Sequence, residues 1–311
     1  MQKLLLLNNP NAAHGHRQKL VPQIEQRFAD NGLQTSLFCS QYGGHFEEYL
    51  SACDLSQYSA VIVIGGDGTL HEALNGLYRQ DKSRRIPLGL IPAGTGNAFA
   101  RELDLLAGQW QKAVDIICAG NIRNIDCASY RYAGEQRYFI NIISMGFGVD
   151  AGHTAKKLKF LGKSAYTLAT LWQTLFLRSW PLRITLDGQR IEHSTILASV
   201  SNSRYTGTSF LIAPDAQLDD GLLDVLLLTD ISRLKILRLF PSIYSGKHIH
   251  YQEVSLQRAK HILIETDEPK ELTPDGEFSG STPVEIQCLP QAVAFLWPIT
   301  KLGTLPQETV P

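Results

Sequence analysis

Residues 61–77, Val-Ile-Val-Ile-Gly-Gly-Asp-Gly-Thr-Leu-His-Glu-Ala-Leu-Asn-Gly-Leu, constrain the fold more than any other stretch of the chain. Four β-branched residues, Val61 to Ile64, read as a buried strand. Gly65, Gly66 and Gly68 then permit a tight turn in which backbone can approach a ligand closely. Thr69 is placed to cap a helix whose apolar face is Leu70, Ala73, Leu74 and Leu77. A strand, a glycine turn and a helix start together form a cradle for an anion, because free N–H groups and the positive end of the helix face it. Asp67 puts a carboxylate inside that cradle. Beside phosphate an unpaired carboxylate would repel, so Asp67 is expected to meet Mg²⁺ or a substrate hydroxyl. The same pattern also fits a plain β-turn-α connection in which Asp67 only caps the helix.

A second loop follows about thirty residues later. The apolar run Ile86–Ile91 enters Pro92-Ala-Gly-Thr-Gly-Asn97 and leaves through Ala98–Leu103, again strand to glycine loop to helix. Gly94 and Gly96 allow close approach, and Thr95 and Asn97 offer donors, although Asn97 also suits an ordinary helix cap. Two such loops fit neighbouring parallel strands with both loops at their carboxyl ends, the edge where open α/β sheets bind ligands. Lys3–Leu7 reads as the first strand, Asn8–Asn11 as a turn, and Gln18–Asn31 as a helix. The chain contains neither a P-loop motif nor a dinucleotide fingerprint followed by a ribose-binding acid.

With both loops in view, the chain resembles the diacylglycerol-kinase-type lipid kinases, specifically the soluble bacterial branch related to sphingosine kinases. The resemblance spans nearly the whole length. It is carried by Asn9-Pro10, Ser40, Gly65–Leu70, Pro92–Asn97, Asn141-Ile-Ile-Ser144-Met-Gly146-Phe-Gly148, Ala213–Ala216 with Leu218–Asp224, and Asp275-Gly276-Glu277. The resemblance implies ATP and Mg²⁺ as cofactors and a lipid alcohol such as diacylglycerol as acceptor. It implies nucleotide contacts from Asn9, Ser40, Gly65, Gly66, Asp67, Gly68, Thr69, Glu72, Gly94, Thr95, Gly96 and Asn97. It gives Asp220 as a metal ligand, with main-chain oxygens from Gln217 and Leu222, at a structural Mg²⁺ site. It also implies that Glu277 takes the acceptor's proton, with Asp275 positioning it or holding Mg²⁺, while Asp67 is the rival base. Read without the family, Pro-Asp-Gly-Glu is a solvated turn and Asp219-Asp220-Gly221 a tight acidic one. The family's run of glycines is replaced here by Ser201–Ser209, which borders the acceptor side and bears on acceptor identity.

The 311 residues suffice for two domains, and the net charge of −1 gives no basic field for nucleic acid. Five scattered cysteines form no C-x-x-C pair, so free thiols in a reducing cytoplasm are expected. No apolar run is long enough for a signal peptide or a membrane span, so contact with the membrane would be peripheral. Alternating strands and helices to about residue 124 predict an α/β nucleotide-binding domain, 1–124. Strands at Ile125–Tyr132, Arg137–Ile143, Arg183–Leu186, Thr195–Ser201, Leu223–Leu228, His261–Glu265 and Val284–Gln287 predict an antiparallel β-sandwich, 125–290. The active site is expected in the cleft between them. By resemblance, residues 291–300 return to the first domain, and a homodimer is compatible with the family while the oligomeric state stays open. Gly303–Pro311 reads as a frayed tail. One helix, Lys156–Leu177, carries Leu161, Ala165, Leu168, Trp172 and Leu175 at helical spacing behind four lysines, Lys156, Lys157, Lys159 and Lys163. It is read as a core helix, with membrane contact through Phe160 and Leu161 as the competing reading. A helix near Ile231–Tyr244 is read as core. Three rivals stand beside the lipid-kinase reading: an NAD-kinase-like nucleotide kinase, a sugar kinase, and a non-catalytic lipid-binding protein on a kinase frame.

Overall fold

The computed structural model describes residues 3–10, 20–94, 96–157, 165–207, 209–229 and 231–299. In the first part, β1 (Lys3–Asn8), α1 (Leu20–Asp30), β2 (Gln34–Cys39), α2 (His45–Ala52), β3 (Ala60–Gly65), α3 (Asp67–Tyr78), β4 (Leu88–Pro92) and α4 (Trp110–Ala119) alternate. The four strands run parallel in the order β4-β3-β1-β2. Every residue of β3 and β4 is buried, as a parallel strand covered on both faces requires. Gly120, at a positive φ of 68°, ends α4. Asn8 pairs with both Cys39 and Ile64, and Gly65 pairs with Pro92, so four carboxyl ends lie side by side on one edge.

The chain continues through β5 (Ile122–Tyr132), β6 (Glu135–Phe139), β7 (Ile142–Gly146), α5 (Phe147–Lys157), α6 (Ala165–Thr174), β8 (Trp180–Leu186), β9 (Gln189–Ser201), β10 (Tyr205–Thr206), β11 (Phe210–Leu211), β12 (Leu223–Thr229), α7 (Arg233–Ser242), β13 (Val254–Ala259), β14 (His261–Thr266), β15 (Leu272–Pro274) and β16 (Val284–Leu296). These strands pair antiparallel around a second core that includes Tyr130, Phe139, Met145, Val200, Ile264 and Leu272. The first core, around Phe28, Leu74, Phe99 and Phe295, is separate. β16 belongs to both. It pairs with β14 and β5, and its far end sets Phe295 against Leu88 of β4 in the one parallel contact between the two halves of the sheet.

The structure corrects four local expectations. Thr69 does not cap α3: the helix begins at Asp67 with Gly66 at the cap position and no side-chain cap. The strand expected over Arg137–Ile143 is two strands, interrupted at Ile140 and Asn141, whose N–H groups leave the ladder for the Asp275 carboxylate. The single helix expected over Lys156–Leu177 is two, α5 and α6. The stripe read as core also faces outward: Leu168, Leu171, Trp172, Leu175 and Phe176 are 43–59 % exposed, whereas Ala169, Thr170 and Thr174 face inward. Among the described side chains of α6, Ala169, Thr170 and Thr174 pack inward and Leu168, Leu171 and Trp172 stay outside. Asn11, Thr95, Lys159, Phe160, Leu161 and Lys163 fall outside the described residues. No described helix is long and apolar enough to cross a membrane.

Candidate active site

The two glycine loops lie backbone against backbone. Ala93 and Gly94 donate their N–H groups to the Gly65 carbonyl at 2.7 and 3.0 Å. A Cβ on Gly66 would come within 2.6 Å of the Gly96 carbonyl oxygen and 2.9 Å of Gly94 Cα, so only glycine fits there. Asp67 joins the loops. Its Oδ2 accepts from Ala98 N at 2.9 Å and its Oδ1 from Phe99 N at 3.1 Å, which caps the short 3-10 turn Phe99–Leu103. Burial pushes the Asp67 carboxyl up to about 6; the two N–H bonds oppose that shift and the nearby Asp275 charge adds to it. Asn97 is turned inward, accepting from Gly94 N at 3.1 Å and donating to Gly94 O at 2.8 Å, so it shapes its own loop. Thr69 fills the space beside Gly65, where a Cβ would lie 2.6 Å from it. Asn9 and buried Ser40 follow β1 and β2 on the same edge. Glu72, one turn beyond Gly68 on α3, accepts from Phe46 N at 3.3 Å at the start of α2. Burial raises its carboxyl pKa, with Glu277 and Glu47 adding to the shift.

From the other domain comes the acidic turn. Glu277 N donates to Pro274 O at 2.9 Å. Asp275 and Gly276 have φ of 51° and 86°, the paired positive values of a type I′ turn, in which Asp-Gly is favoured. The Asp275 side chain is buried and takes four hydrogen bonds: from Ile140 N (3.1 Å), Asn141 N (2.8 Å), Ile142 N (3.2 Å) and His71 Nδ1 (3.0 Å). A carboxylate so occupied has no room for a metal. It anchors the turn, and the turn lays exposed Glu277 against the first loop, close enough that a methyl on Gly68 would collide with Glu277 Oε1. No hydrogen bond or ion pair holds the Glu277 carboxylate among the described residues. Gly68→Ala is therefore expected to leave thermal stability unchanged or slightly raised, since Ala favours helix. It should nevertheless lower turnover at least tenfold by displacing Glu277, as steady-state rates on the variant will show.

His71 was not singled out by the sequence. Its signal was slight: one polar residue on a helix face that is otherwise buried. Its Nδ1 lies 3.0 Å from an Asp275 oxygen, and its Nε2 lies 3.4 Å from the Asn75 amide nitrogen. Asn75 in turn donates to Tyr138 O at 2.9 Å and accepts from Tyr138 N at 3.0 Å, stitching α3 to β6. Glu47, held at 2.6 Å by both Arg79 and Arg137, and Glu102, paired with Arg204 at 2.8 Å, fasten the two halves on either side of the cleft.

Asp67, Glu72 and Glu277 form no ion pair among the described residues. Hard oxygen donors without a cation suit Mg²⁺ brought in on phosphates, an ion that binds through one or two carboxylates rather than a protein cage. The turn at 219–221 differs. Asp219 meets Arg123 at 2.7 Å, and Asp220 accepts from Leu222 N at 3.0 Å with Arg258 at 3.6 Å, so arginines relieve the repulsion between the two neighbours. Among the described residues no three His, Cys, Asp or Glu side chains converge on a metal position; the Asp220 carboxylate with main-chain oxygens of Gln217 and Leu222 is a site of a different kind.

Beside the acidic turn a cavity of about 350 Å³ opens between Gly96 and Gly276 and runs toward α7. Phe147, Leu197, Phe210, Ile236, Leu239 and Phe240 make its walls apolar, while Ser144 and Ser199 contribute to its lining.

A family model described as the diacylglycerol kinase catalytic domain matches residues 3–130, and one described as the YegS C-terminal NAD kinase beta sandwich-like domain matches residues 141–297. The chain is thus a two-domain kinase, an α/β catalytic domain followed by a β-sandwich-like one. A diacylglycerol kinase of Mycobacterium tuberculosis is 34 % identical over 299 residues, 95 % of each chain. One of Bacillus subtilis is 29 % identical over 307 residues, covering 98 % of this chain and 99 % of the other. A crystal structure of a diacylglycerol kinase from Bacillus anthracis superposes with a TM-score of 0.76 at 28 % identity, covering 96 % of this chain and 97 % of that one. The chain belongs to the diacylglycerol kinase family.

Proposed function

We propose that this kinase transfers the γ-phosphoryl group of ATP to the hydroxyl of a lipid such as diacylglycerol. The observation that carries the reading is the turn that bears Glu277: its carboxylate lies against Gly68 of the first glycine loop, and its chain neighbours Gly276 and Phe278 line the apolar cavity. A lipid whose chains lie along Leu239 and Phe210 would present its hydroxyl at the cavity mouth, beside Gly276. Glu277 takes the hydroxyl proton as the oxygen bonds to the γ-phosphorus, and the bond from that phosphorus to the bridging oxygen of ADP breaks. The glycine loops hold the phosphates through backbone N–H groups, and Asp67 keeps the loops in register. Mg²⁺ on the phosphates, facing Asp67 and Glu72, would neutralise charge during transfer. Asp275 acts through the turn and touches no reactant.

Ionised Asp67 is the form that faces a metal-bound phosphate. With its carboxyl at about 6 in the free protein, kcat/KM for ATP is expected to rise as pH increases through about 6 and then level. The sign is opposite for stability: the folded state holds this proton more tightly than the unfolded chain. The Asp67 contribution is therefore fully present at low pH and lost as pH rises through about 6. A kcat/KM profile flat from pH 5 to 8 would remove Asp67 from the reaction.

α6 and α7 touch, and both leave large apolar side chains exposed: Leu171 and Trp172 on α6, Phe176 just after it, and Leu234 and Leu237 on α7. Thr170 of α6 and Ile236 of α7 line the cavity, α7 also carries exposed Arg233 and Arg238, and exposed Arg178 follows α6 in the chain. Apolar rings flanked by arginines suit an anionic bilayer, from which the lipid would enter. Trp172→Glu is expected to weaken binding to phosphatidylglycerol vesicles while leaving turnover on micellar substrate in place.

The test of function is incubation with ATP, Mg²⁺ and a mixed lipid extract in detergent, with products identified by mass. A phosphorylated lipid alcohol supports the reading, and diacylglycerol phosphate would name the acceptor. Phosphate appearing on NAD instead would move the assignment to a nucleotide kinase, the activity carried in the description of the C-terminal family model.

A further inference from the structure

Three hydroxyl side chains stand in one row across the sheet face that floors the apolar cavity. Ser144 of β7 pairs in register with Ser199 of β9 on one side and with Thr273 of β15 on the other, and all three line the cavity. Directly paired residues of antiparallel strands share a face, and their chain neighbours point to the other. Ile143, Met145, Ala198, Val200 and Leu272 accordingly lie in the second core, on the far side of the sheet. The other hydroxyls of the lining, Thr170 and Thr206, come from α6 and β10, outside this face. The three in the row differ in what they can offer. Ser199 Oγ is enclosed and has no hydrogen-bond partner, in a residue 1 % exposed, so a ligand does not reach it. Thr273 Oγ1 donates its hydrogen to the Ser144 carbonyl at 3.3 Å. Ser144 is half-buried, and no hydrogen bond holds its Oγ among the described residues. It is the donor of the row that remains available, on the strand beside the one that enters the acidic turn, where Ile143 pairs with Pro274.

We propose that Ser144 is a specificity-determining residue that donates its Oγ–H to an ester carbonyl of the acceptor lipid, so that the site selects acylglycerols over lipid alcohols without a carbonyl; this rests on the lipid-kinase reading above. Ser144 and Thr273 are one strand spacing apart, roughly 5 Å, and Thr273 and Gly276 border the same cavity. In an acylglycerol the first ester sits on the carbon next to the one that bears the hydroxyl. A lipid that presents its hydroxyl beside Gly276 therefore brings that carbonyl over this row. Among walls such as Phe147, Leu197 and Leu239 the carbonyl loses its water, which is costly unless a donor meets it. A carbonyl oxygen only accepts, so the partner must bring the hydrogen, and the Ser144 hydroxyl does. A methylene in the same place, as in an ether lipid, leaves that hydroxyl unpaired in the complex. A binding site rejects an analogue in this way when the analogue lacks the partner of its polar group. No bond forms or breaks at Ser144.

The test compares diacylglycerol with the dialkyl glycerol ether of equal chain length, each in the same detergent micelles with ATP and Mg²⁺. The two acceptors differ only in carrying carbonyls or methylenes at the same positions. Wild-type kcat/KM is expected to favour the diester about tenfold, the effect of one half-buried neutral hydrogen bond. Ser144→Ala should lower the diester value and bring the ratio to within about twofold of unity. A defect in folding or in nucleotide binding depresses both acceptors alike and does not move that ratio. In Ser199→Ala, which loses only the enclosed hydroxyl of the same row, the ratio should stay near its wild-type value. A wild-type ratio of unity, a ratio that survives in Ser144→Ala, or a loss in that variant shared equally by both acceptors overturns the proposal. So does a ratio that falls as far in Ser199→Ala as in Ser144→Ala. Each of these results leaves the lipid-kinase reading standing, because the wild type still phosphorylates lipid. Wild type that phosphorylates neither acceptor overturns that reading as well.

Discussion

Glu277→Gln is expected to fold as the parent does and to turn over roughly 10²- to 10⁴-fold more slowly, the span a positioned general base contributes. Both halves of that expectation come from its surroundings. Glu277 is exposed at a turn, and no hydrogen bond or ion pair holds its carboxylate among the described residues, so the neutral isostere removes no fold-stabilising contact. A substitution of that kind changes stability by no more than about 0.5 kcal/mol. KM for ATP should stay within a few-fold, because Glu277 meets the acceptor rather than the nucleotide. Asp67, the rival base, is already engaged: each of its oxygens takes a backbone N–H. Asp67→Asn should lower both turnover and stability, since its NH₂ would face the Ala98 or Phe99 N–H. Steady-state kinetics and thermal unfolding of the two variants separate these patterns. Near-normal turnover in Glu277→Gln would return the base to Asp67.

Asp275→Asn should produce the largest loss of stability of any single change in the site. The carboxylate is buried and gathers four donors from Ile140, Asn141, Ile142 and His71. An amide keeps one oxygen and turns its NH₂ on groups that themselves donate. The cost of breaking such a buried charged network is about 3–5 kcal/mol. Turnover should fall as well, because the turn that presents Glu277 loses its anchor. Denaturant unfolding of the variant checks the first claim. A midpoint equal to wild type would show that the four bonds contribute little.

The contrast between these residues shows what could be read in advance. The α/β class followed from local chemistry: the apolar runs Val61–Ile64 and Ile86–Ile91 each run into glycines and then a helix, and no long-range knowledge is needed to see them. The β-sandwich followed from alternation and turns, and Asp187-Gly188 indeed turns between β8 and β9 with φ of 47° and 87°. What failed was set by distant contacts. Nothing near Arg137–Ile143 reveals that a carboxylate from residue 275 takes its N–H groups, and so the strand break was missed. The α6 stripe has core periodicity, but the helix packs through Ala169, Thr170 and Thr174, and only the tertiary fold decides which face is covered. Asp275 and Glu277 look alike in sequence. Asp275 is buried and anchors the turn, whereas Glu277 is exposed.

The most direct test of the central claim, that Glu277 serves a hydroxyl presented by an apolar cavity, is kcat/KM for phosphate transfer from ATP to diacylglycerol in micelles against transfer to glycerol in water. The account predicts a preference for the lipid of at least a thousandfold, reduced when Leu239 is replaced by Asp inside the cavity. Equal efficiency on the two acceptors, or a lipid preference that survives Leu239→Asp in folded protein, would contradict it.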